Sequence, residues 1–102
     1  MNTLMLLKNL KKKIIIQGYF KNKDEAIQSW ARLPNSNEWE ILYLEERTPK
    51  GHRYELAYSK FDELGNLYSK YIICFSKKEA LYLENKIKEA NRQYITHIKE
   101  IY

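Results

Sequence analysis

The residues that could support catalysis or bind a metal are few and widely separated. The 102 residues include one cysteine, Cys74, and two histidines, His52 and His97, whose spacing matches no metal-ligand motif. Cys74 lies in an apolar run, which favours a buried and inert thiol over a reactive one. The acidic doublets Glu45-Glu46 and Asp62-Glu63 lack the partner residues of a general acid and base. We therefore expect no enzymatic activity, no bound metal and no cofactor.

Lysine is the residue type that offers a chemical function, because its ammonium group binds phosphate. Six lysines and no acidic residue precede Asp24, whereas twelve basic and thirteen acidic residues follow from that point. The net charge of +5 is thus concentrated at the start of the chain, which favours attraction to a polyanion. Lysine enrichment from an AT-rich genome is the alternative. The cations expected to contact nucleic acid are Lys11, Lys12, Lys13, Lys50, His52, Arg53, Lys77 and Lys78.

The stretch that begins at Ser76 predicts a long helix that positions the last two of these lysines. Ser76 and Glu79 form a capping box, in which the serine oxygen accepts the N–H of Glu79 and the glutamate accepts the N–H of Ser76. Apolar residues at helical spacing continue to about Tyr102, which predicts a helix of about 25 residues, or about 37 Å. A strand of about eight residues extends only about 26 Å, so the end of the helix should overhang the sheet. The overhanging apolar residues are Tyr94, Ile95, Ile98, Ile101 and Tyr102.

The middle of the chain predicts an antiparallel meander of three strands. Residues 38–47, 52–61 and 67–75 are rich in β-favouring residues and are separated by two short turn sequences. Within the second segment Tyr54 and Leu56 alternate with charged residues, as in a half-buried strand. Tyr54, Tyr58, Tyr68 and Tyr71 are expected to pack in the core or on a sheet face rather than to stack on bases.

The start of the chain predicts two helices and one short strand. Leucines at helical spacing within residues 2–13 predict a short helix, and the β-branched residues that follow predict a strand over residues 14–20. Asn22 caps a second helix, which Pro34 ends. The expected fold is thus α+β. A single domain over residues 22–102 has a sheet of three strands, or four with residues 14–20, packed against the long C-terminal helix. A basic helix and strand over residues 1–21 precede it.

Two short stretches resemble each other within the chain. Residues 22–27 and 76–81 each follow an apolar run, begin with a capping residue and carry glutamate three positions later. Shared capping chemistry accounts for the likeness, and an internal duplication is the alternative.

The order of helix, three strands and helix over about residues 22–92 resembles the double-stranded-RNA-binding domain. Residues 38–41 look like its aromatic-led first strand, residues 49–54 its first hairpin loop, and residues 76–80 the opening of its second helix. The resemblance implies that Lys77 and Lys78 contact phosphates across a major groove, while the loop that contains His52 enters a minor groove. The Phe-Ser-Lys-Lys-Glu-Ala run after two turn-linked strands is also similar to the arm-site DNA-binding domains of tyrosine integrases, which lay a three-stranded sheet in the major groove.

These observations predict a small, non-enzymatic protein that binds duplex RNA or DNA through a lysine-rich face. The alternative is a protein-binding inhibitor or adaptor, of the kind that phages and mobile elements carry as anti-CRISPR or other counter-defence proteins. Such a protein would occlude a host protein or a nuclease complex. The overhanging helix end is the expected partner interface: it should be shielded either by Leu4, Leu7 and Leu10 of the same chain or by a second copy, and its apolar groups on two sides favour a homodimer. No apolar run is long enough to span a bilayer, and no secretory signal is evident, so we expect a cytoplasmic protein.

Overall fold

A computed structural model describes residues 2–101 and divides the chain between Thr48 and Pro49 into two compact units. In the first unit, β1 (Thr3–Asn9) and β2 (Ile15–Phe20) precede α1 (Lys23–Ala31), a short 3-10 helix (Ser36–Glu38) and β3 (Trp39–Glu46). In the second unit, β4 (Tyr54–Phe61) and β5 (Leu67–Cys74) precede α2 (Lys77–Ala90) and β6 (Ile95–Glu100). The division at residues 48 and 49 differs from the expected boundary at residues 21 and 22.

The first unit is a three-stranded antiparallel sheet with helix α1 on one face. The strand order is β2-β1-β3, so the first strand lies in the middle. Met5 and Leu7 form a core with Ala26 of α1, and the Trp30 Nε1–H donates a hydrogen bond to the carbonyl oxygen of Trp39 at 2.9 Å. Helix α1 is therefore attached both to the central strand and to β3.

The helix predicted over residues 2–13 is wrong, because residues 3–9 form strand β1. Leu4, Met5, Leu6 and Leu7 are all buried, so both faces of the strand are covered. A strand buried on both faces has no alternation of apolar and polar residues, and its continuous apolar run is not distinguished from a helix by periodicity. The predicted strand after it is confirmed as β2, but it pairs with β1.

The second unit repeats the same arrangement. Its strand order is β5-β4-β6, again antiparallel with the first strand in the middle, and α2 lies against all three strands. Ala80, Leu83 and Ile87 of α2 are fully buried, as are Leu56 and Ile72 of the sheet. Both units therefore have the element order ββαβ, and residues 22–27 and 76–81 begin the equivalent helices.

The predicted single sheet with a long C-terminal helix is wrong, although the chain is α+β. Strand β3 pairs with β1 in one sheet, while β4 and β5 belong to another, so residues 38–75 do not form a three-stranded meander. Neither helix is long, because α1 ends at Ala31 and α2 ends at Ala90.

The predicted overhang is absent, because residues 95–100 form the edge strand β6. After α2, the Gln93 N–H donates to the side chain of Asn91 at 2.9 Å, and the Tyr94 ring packs edge-on against Tyr58 with centroids 5.7 Å apart. Ile95 and Ile98 then pair with β4, and Ile101 follows the strand. Tyr102 lies outside the described residues. The expected homodimer through a helical overhang thus loses its physical basis.

Both helices begin with the predicted type of cap. The side chains of Asn22 and Ser76 accept the N–H groups of Glu25 and Glu79 at 2.9 and 3.0 Å. The two glutamates accept the N–H of the residue before the cap, at 3.3 Å for Lys21 and 3.1 Å for Phe75. The predicted serine bond is confirmed, whereas the glutamate reaches one residue further back than expected.

Candidate nucleic-acid interface

The sheet of the second unit has one face that α2 does not cover. Residues directly opposite each other in paired strands point to the same side of a sheet. The hydrogen bond from Thr96 Oγ1 to Glu84 Oε2 of α2, at 2.9 Å, identifies the covered side as that of Tyr58, which pairs with Thr96. We call the other side the helix-free face. It consists of Glu55, Ala57, Ser59 and Phe61 of β4, Leu67, Ser69, Tyr71 and Ile73 of β5, and Ile95, His97 and Lys99 of β6.

Large apolar side chains surround a floor of small residues on this face. Phe61, Leu67, Tyr71 and Ile95 are 54%, 52%, 54% and 58% exposed. Between them lie small side chains, and two serine hydroxyls are joined across β4 and β5 by a hydrogen bond of 2.8 Å. Soluble proteins seldom expose a contiguous apolar patch without a function for it. The small floor residues are Ala57, Ser59 and Ser69.

Cations from separate parts of the chain meet at one end of the second unit. Tyr54 pairs with Cys74 of β5 and with Glu100 of β6, so the residues just before β4 lie beside the start of α2. The Arg53 guanidinium lies over the Phe75 ring, with its carbon 5.8 Å from the ring centroid, and the Ile101 N–H donates to the Arg53 carbonyl oxygen at 3.0 Å. We call this region the basic end. Its exposed cationic or ionisable residues are His52, Arg53, Lys77, Lys78 and Lys99, and Lys50 precedes them in the exposed loop that leads to β4.

The acidic side chains at the basic end have partners of their own. Glu79 accepts the Phe75 N–H in the cap of α2. Partial burial of Tyr54, together with the negative charge and hydrogen bond of Glu100, raises the pKa of the phenol. Glu55 stands directly opposite Lys99 across β4 and β6, which offsets that lysine. Among residues 2–101, Arg53 and the two lysines of α2 form no ion pair with these acids.

The lysines predicted at positions 11–13 lie in the first unit, in the turn between β1 and β2. The Asn9 side chain accepts the N–H groups of Lys11 and Lys12 at 3.0 and 2.8 Å, and Lys13 takes a positive φ of 57°. Lys11 Nζ lies 2.6 Å from a carboxylate oxygen of Glu38. This hydrogen bond raises the pKa of Lys11 and lowers that of Glu38. One of the three lysines is thus already paired with an acid.

Two other kinds of chemistry considered from the sequence are metal binding and a reactive cysteine. Among residues 2–101, no group of three or more His, Cys, Asp or Glu side chains could hold a metal ion. The predicted burial of Cys74 is confirmed, since its side chain is inaccessible to solvent.

A small apolar cleft of about 130 Å³ opens in the first unit beside Gly18. A Cβ atom at Gly18 would lie 2.8 Å from Cε2 of Phe20, so the glycine admits the close approach of that ring. Ligand sites are usually larger and contain convergent polar groups. The residues lining this cleft include no acidic or basic side chain: they are Met5, Leu7, Ile16, Gln17, Gly18, Phe20, Ser29, Trp30 and Leu33.

Five residues of the basic end are among those expected from the sequence, whereas Lys99 and the helix-free face are not; the five are Lys50, His52, Arg53, Lys77 and Lys78. The tyrosines were expected in the core or on a sheet face, and Tyr58 is indeed buried whereas Tyr71 is exposed. His97 and Lys99 are not among the expected site residues, because the sequence predicts helix over residues 95–100 where the structure has strand β6. The available signal was the run of Ile95, Thr96 and Ile98, since β-branched residues favour strands.

The chain matches no family model, no curated protein and no solved structure. Among the described residues, neither helix has the length and apolar character needed to cross a membrane.

Proposed function

We propose that this is a non-enzymatic nucleic-acid-binding protein that holds the phosphate backbone at the basic end of its second unit. The observation that carries the proposal is the meeting of Arg53 with Lys77 and Lys78 at one end of one unit. The β-ladder of β4, β5 and β6 brings these parts of the chain together, and the acids nearby have other partners.

The start of α2 suits a phosphate group in two ways. The first N–H groups of a helix lack partners within the helix, and the helix dipole places partial positive charge there. Lys77 and Lys78 stand in this first turn, where a cation slightly opposes the dipole and destabilises the free protein. A bound phosphate removes that opposition, because it is attracted both by the lysines and by the dipole.

Arg53 contributes orientation as well as charge. Its guanidinium is held over the Phe75 ring by a cation–π contact, which leaves the donors at its edge available to oxygen acceptors. Phosphate oxygens match the fork of donors that a guanidinium presents. Cytoplasmic location, expected from the sequence, suits a protein with this function.

Salt dependence of binding tests the proposal directly. Fluorescence anisotropy with labelled single-stranded and duplex oligonucleotides at about 50 and 200 mM salt should show affinity falling steeply with salt, because each phosphate contact releases counterions. The double variant K77Q/K78Q should weaken binding. It should also reduce the magnitude of the slope of log affinity against log salt concentration by about one to two. The matched control is K88Q/R92Q, which removes two positive charges from the exposed C-terminal end of α2 and the turn that follows.

Equal weakening by the two double variants would show that only net charge matters and would contradict a site at the basic end. Absence of binding to every oligonucleotide at the lower salt would contradict the function altogether. Retention of a specific protein from nuclease-treated lysate, in that case, would favour the protein-binding alternative.

A further inference from the structure

We propose that the helix-free face of the second unit stacks unpaired bases, so that the protein prefers single-stranded nucleic acid to duplex. This inference rests on the proposed function, because the basic end would hold the backbone of the same strand. The observations that carry it are the aromatic rings that this face exposes, the small residues between them and the continuity of the face with Arg53.

The rings stand at the borders of the floor rather than in its middle. One row across the sheet consists of Tyr71 on β5, Ala57 on β4 and His97 on β6. Strands lie about 4.8 Å apart, so the backbones that carry the two flanking rings are about 10 Å apart, and only the methyl group of Ala57 stands on the strand between them. Phe61 lies further along β4, beyond the serine pair formed by Ser59 and Ser69. The small residues of the floor therefore leave a flat group room to stack on the face of a neighbouring ring.

Nucleobases in a duplex cannot use such a platform, because their faces are already stacked on one another. Unpaired bases expose their faces, and aromatic side chains on sheets stack on them with little dependence on sequence. Aliphatic side chains at the rim, such as Leu67 and Ile95, add apolar contact but cannot supply the ring-to-ring stacking. The chemistry of the face thus favours a strand whose bases are splayed out.

The helix-free face also continues into the basic end. The row across the sheet that contains Ala57 is followed, toward the basic end, by the row that contains Glu55. The first row is Tyr71, Ala57 and His97, and the second is Ile73, Glu55 and Lys99. The Arg53–Phe75 contact lies directly beyond, and the Ile101–Arg53 hydrogen bond continues the ladder there. Phosphates at the basic end and bases on the face can consequently belong to one continuous strand.

The first unit lacks an equivalent platform. Leu6 pairs with Gln17 and Tyr43 as Ala57 pairs with Tyr71 and His97. Leu4 and Leu6 are large and fully buried, so the central strand of the first sheet offers no exposed floor of small residues on the corresponding face. The inference therefore concerns the second unit alone.

Three probes of equal length distinguish protein contacts to bases from contacts to phosphates. They are a labelled oligothymidine of about 16 nucleotides, its abasic counterpart, and a duplex. The full-length protein should bind oligothymidine more tightly than the other two at the same salt. Y71L and F61L should each weaken oligothymidine binding about tenfold, within the roughly 5- to 150-fold range expected for loss of one stacked base. Binding of the abasic strand should stay unchanged. The matched control is Y68L, since Tyr68 is on the same strand, is 61% exposed and faces the opposite side of the sheet.

Equal affinity for oligothymidine, abasic strand and duplex would overturn the inference while leaving the proposed function intact. An effect of Y68L equal to that of Y71L would also overturn it. Absence of binding to all three probes would reject the proposed function and this inference together. Sedimentation of each variant without nucleic acid completes the test. A dimer that Y71L or F61L converts to monomer would show that the face contacts a second copy, and the inference would be wrong.

Discussion

The two units of this protein have the same topology, and their strand registers correspond over residues 3–6 and 54–57, yet the units differ in what they expose. Beyond residue 6 a bulge between Leu6 and Leu7 shifts the pairing of β1 with β3. Met5 pairs with Gly18 and Leu44 in the first sheet, and Leu56 pairs with Ile72 and Ile98 at the equivalent place in the second. Both helices begin with a side-chain cap and a glutamate that reaches back. The shared features are those that position backbone and core.

The differences lie in charge and in the exposed faces. Lys78 in the first turn of α2 stands where α1 has Asp24, and Lys99 of β6 stands where β3 has Glu45. Glu45 lies 3.9 Å from Lys23, so this end of the first unit has an ion pair of its own. One topology is thus compatible with a basic end in one unit and a charge-balanced end in the other. Function belongs to such surface differences and not to the fold itself.

The largest expected effect comes from the equivalent core positions. L56A should lower the free energy of unfolding by about 3–5 kcal/mol, and M5A by about 2–3 kcal/mol, because removal of a buried side chain leaves a cavity. The smaller loss at Met5 follows from its place at the border of an existing cleft. Urea unfolding followed by far-ultraviolet circular dichroism measures both. A loss below about 1 kcal/mol for L56A would contradict its place in a packed core.

The next effect tests whether the charge difference between the helix starts matters. K78D gives α2 the acidic residue of α1, and we expect about a tenfold loss of affinity for oligothymidine at about 50 mM salt. The stability of the protein should not fall, because an acid in the first turn suits the helix dipole. The reciprocal variant D24K is the control, measured by the same anisotropy titration. A gain in affinity with D24K as large as the loss with K78D would contradict a binding site that is specific to the start of α2.

The helix caps should have nearly equal effects in the two units. S76A and N22A should each lower the stability by about 1 kcal/mol, because each leaves a helix N–H without its side-chain acceptor. The glycine variants S76G and N22G should cost only a few tenths of a kcal/mol. Thermal and urea unfolding of the four proteins measure the differences. Clearly unequal losses from the alanine variants would mean that the caps are not equivalent.

The smallest expected effect is a pH dependence that only one of the two hairpin turns, the one with Asp62, should show. Asp62 accepts the N–H groups of Asn66 and Leu64 at 2.8 and 2.9 Å, and these bonds, led by that of Asn66, lower the pKa of its carboxyl group. A lowered pKa in the folded state means that the stabilisation is complete above the pKa of an unfolded aspartate. It is lost as the pH falls through the lower, folded value. In the first unit the corresponding turn N–H groups are bonded to the side-chain amide of Asn9, which does not titrate.

Amide chemical shifts of Leu64 and Asn66, followed by NMR between neutral and strongly acidic pH, should report this titration with a midpoint below that of ordinary aspartate. The amide of Lys12, bonded to the Asn9 side chain, should not follow the same curve. In D62N the titration should disappear while the turn remains, because the amide oxygen still accepts hydrogen bonds. Persistence of the same curve in D62N would assign it to another group.

Features that depend on neighbouring residues were read correctly from the sequence. The caps at Asn22 and Ser76, the strands β4 and β5, and the end of α1 before Pro34 all follow from local chemistry. The cations at residues 50–53 and 77–78 were identified for the same reason, since charge is a property of the residue itself, whereas Lys99 was not, because its segment was expected to be helical. The face beside them was not found, because it depends on which strands pair.

The amino-acid sequence by itself determined where helices start and which segments between residues 39 and 74 are strands. Capping, alternation and turn propensity act within a few residues. Only the tertiary structure decided that residues 3–9 and 95–100 are strands and that β3 pairs with β1. Leu4 to Leu7 are buried on both faces, and Ile95 to Ile98 gain their hydrogen bonds from β4, about 40 residues earlier. Such pairing over long separations is not encoded in local periodicity, and it decided which side chains reach the helix-free face.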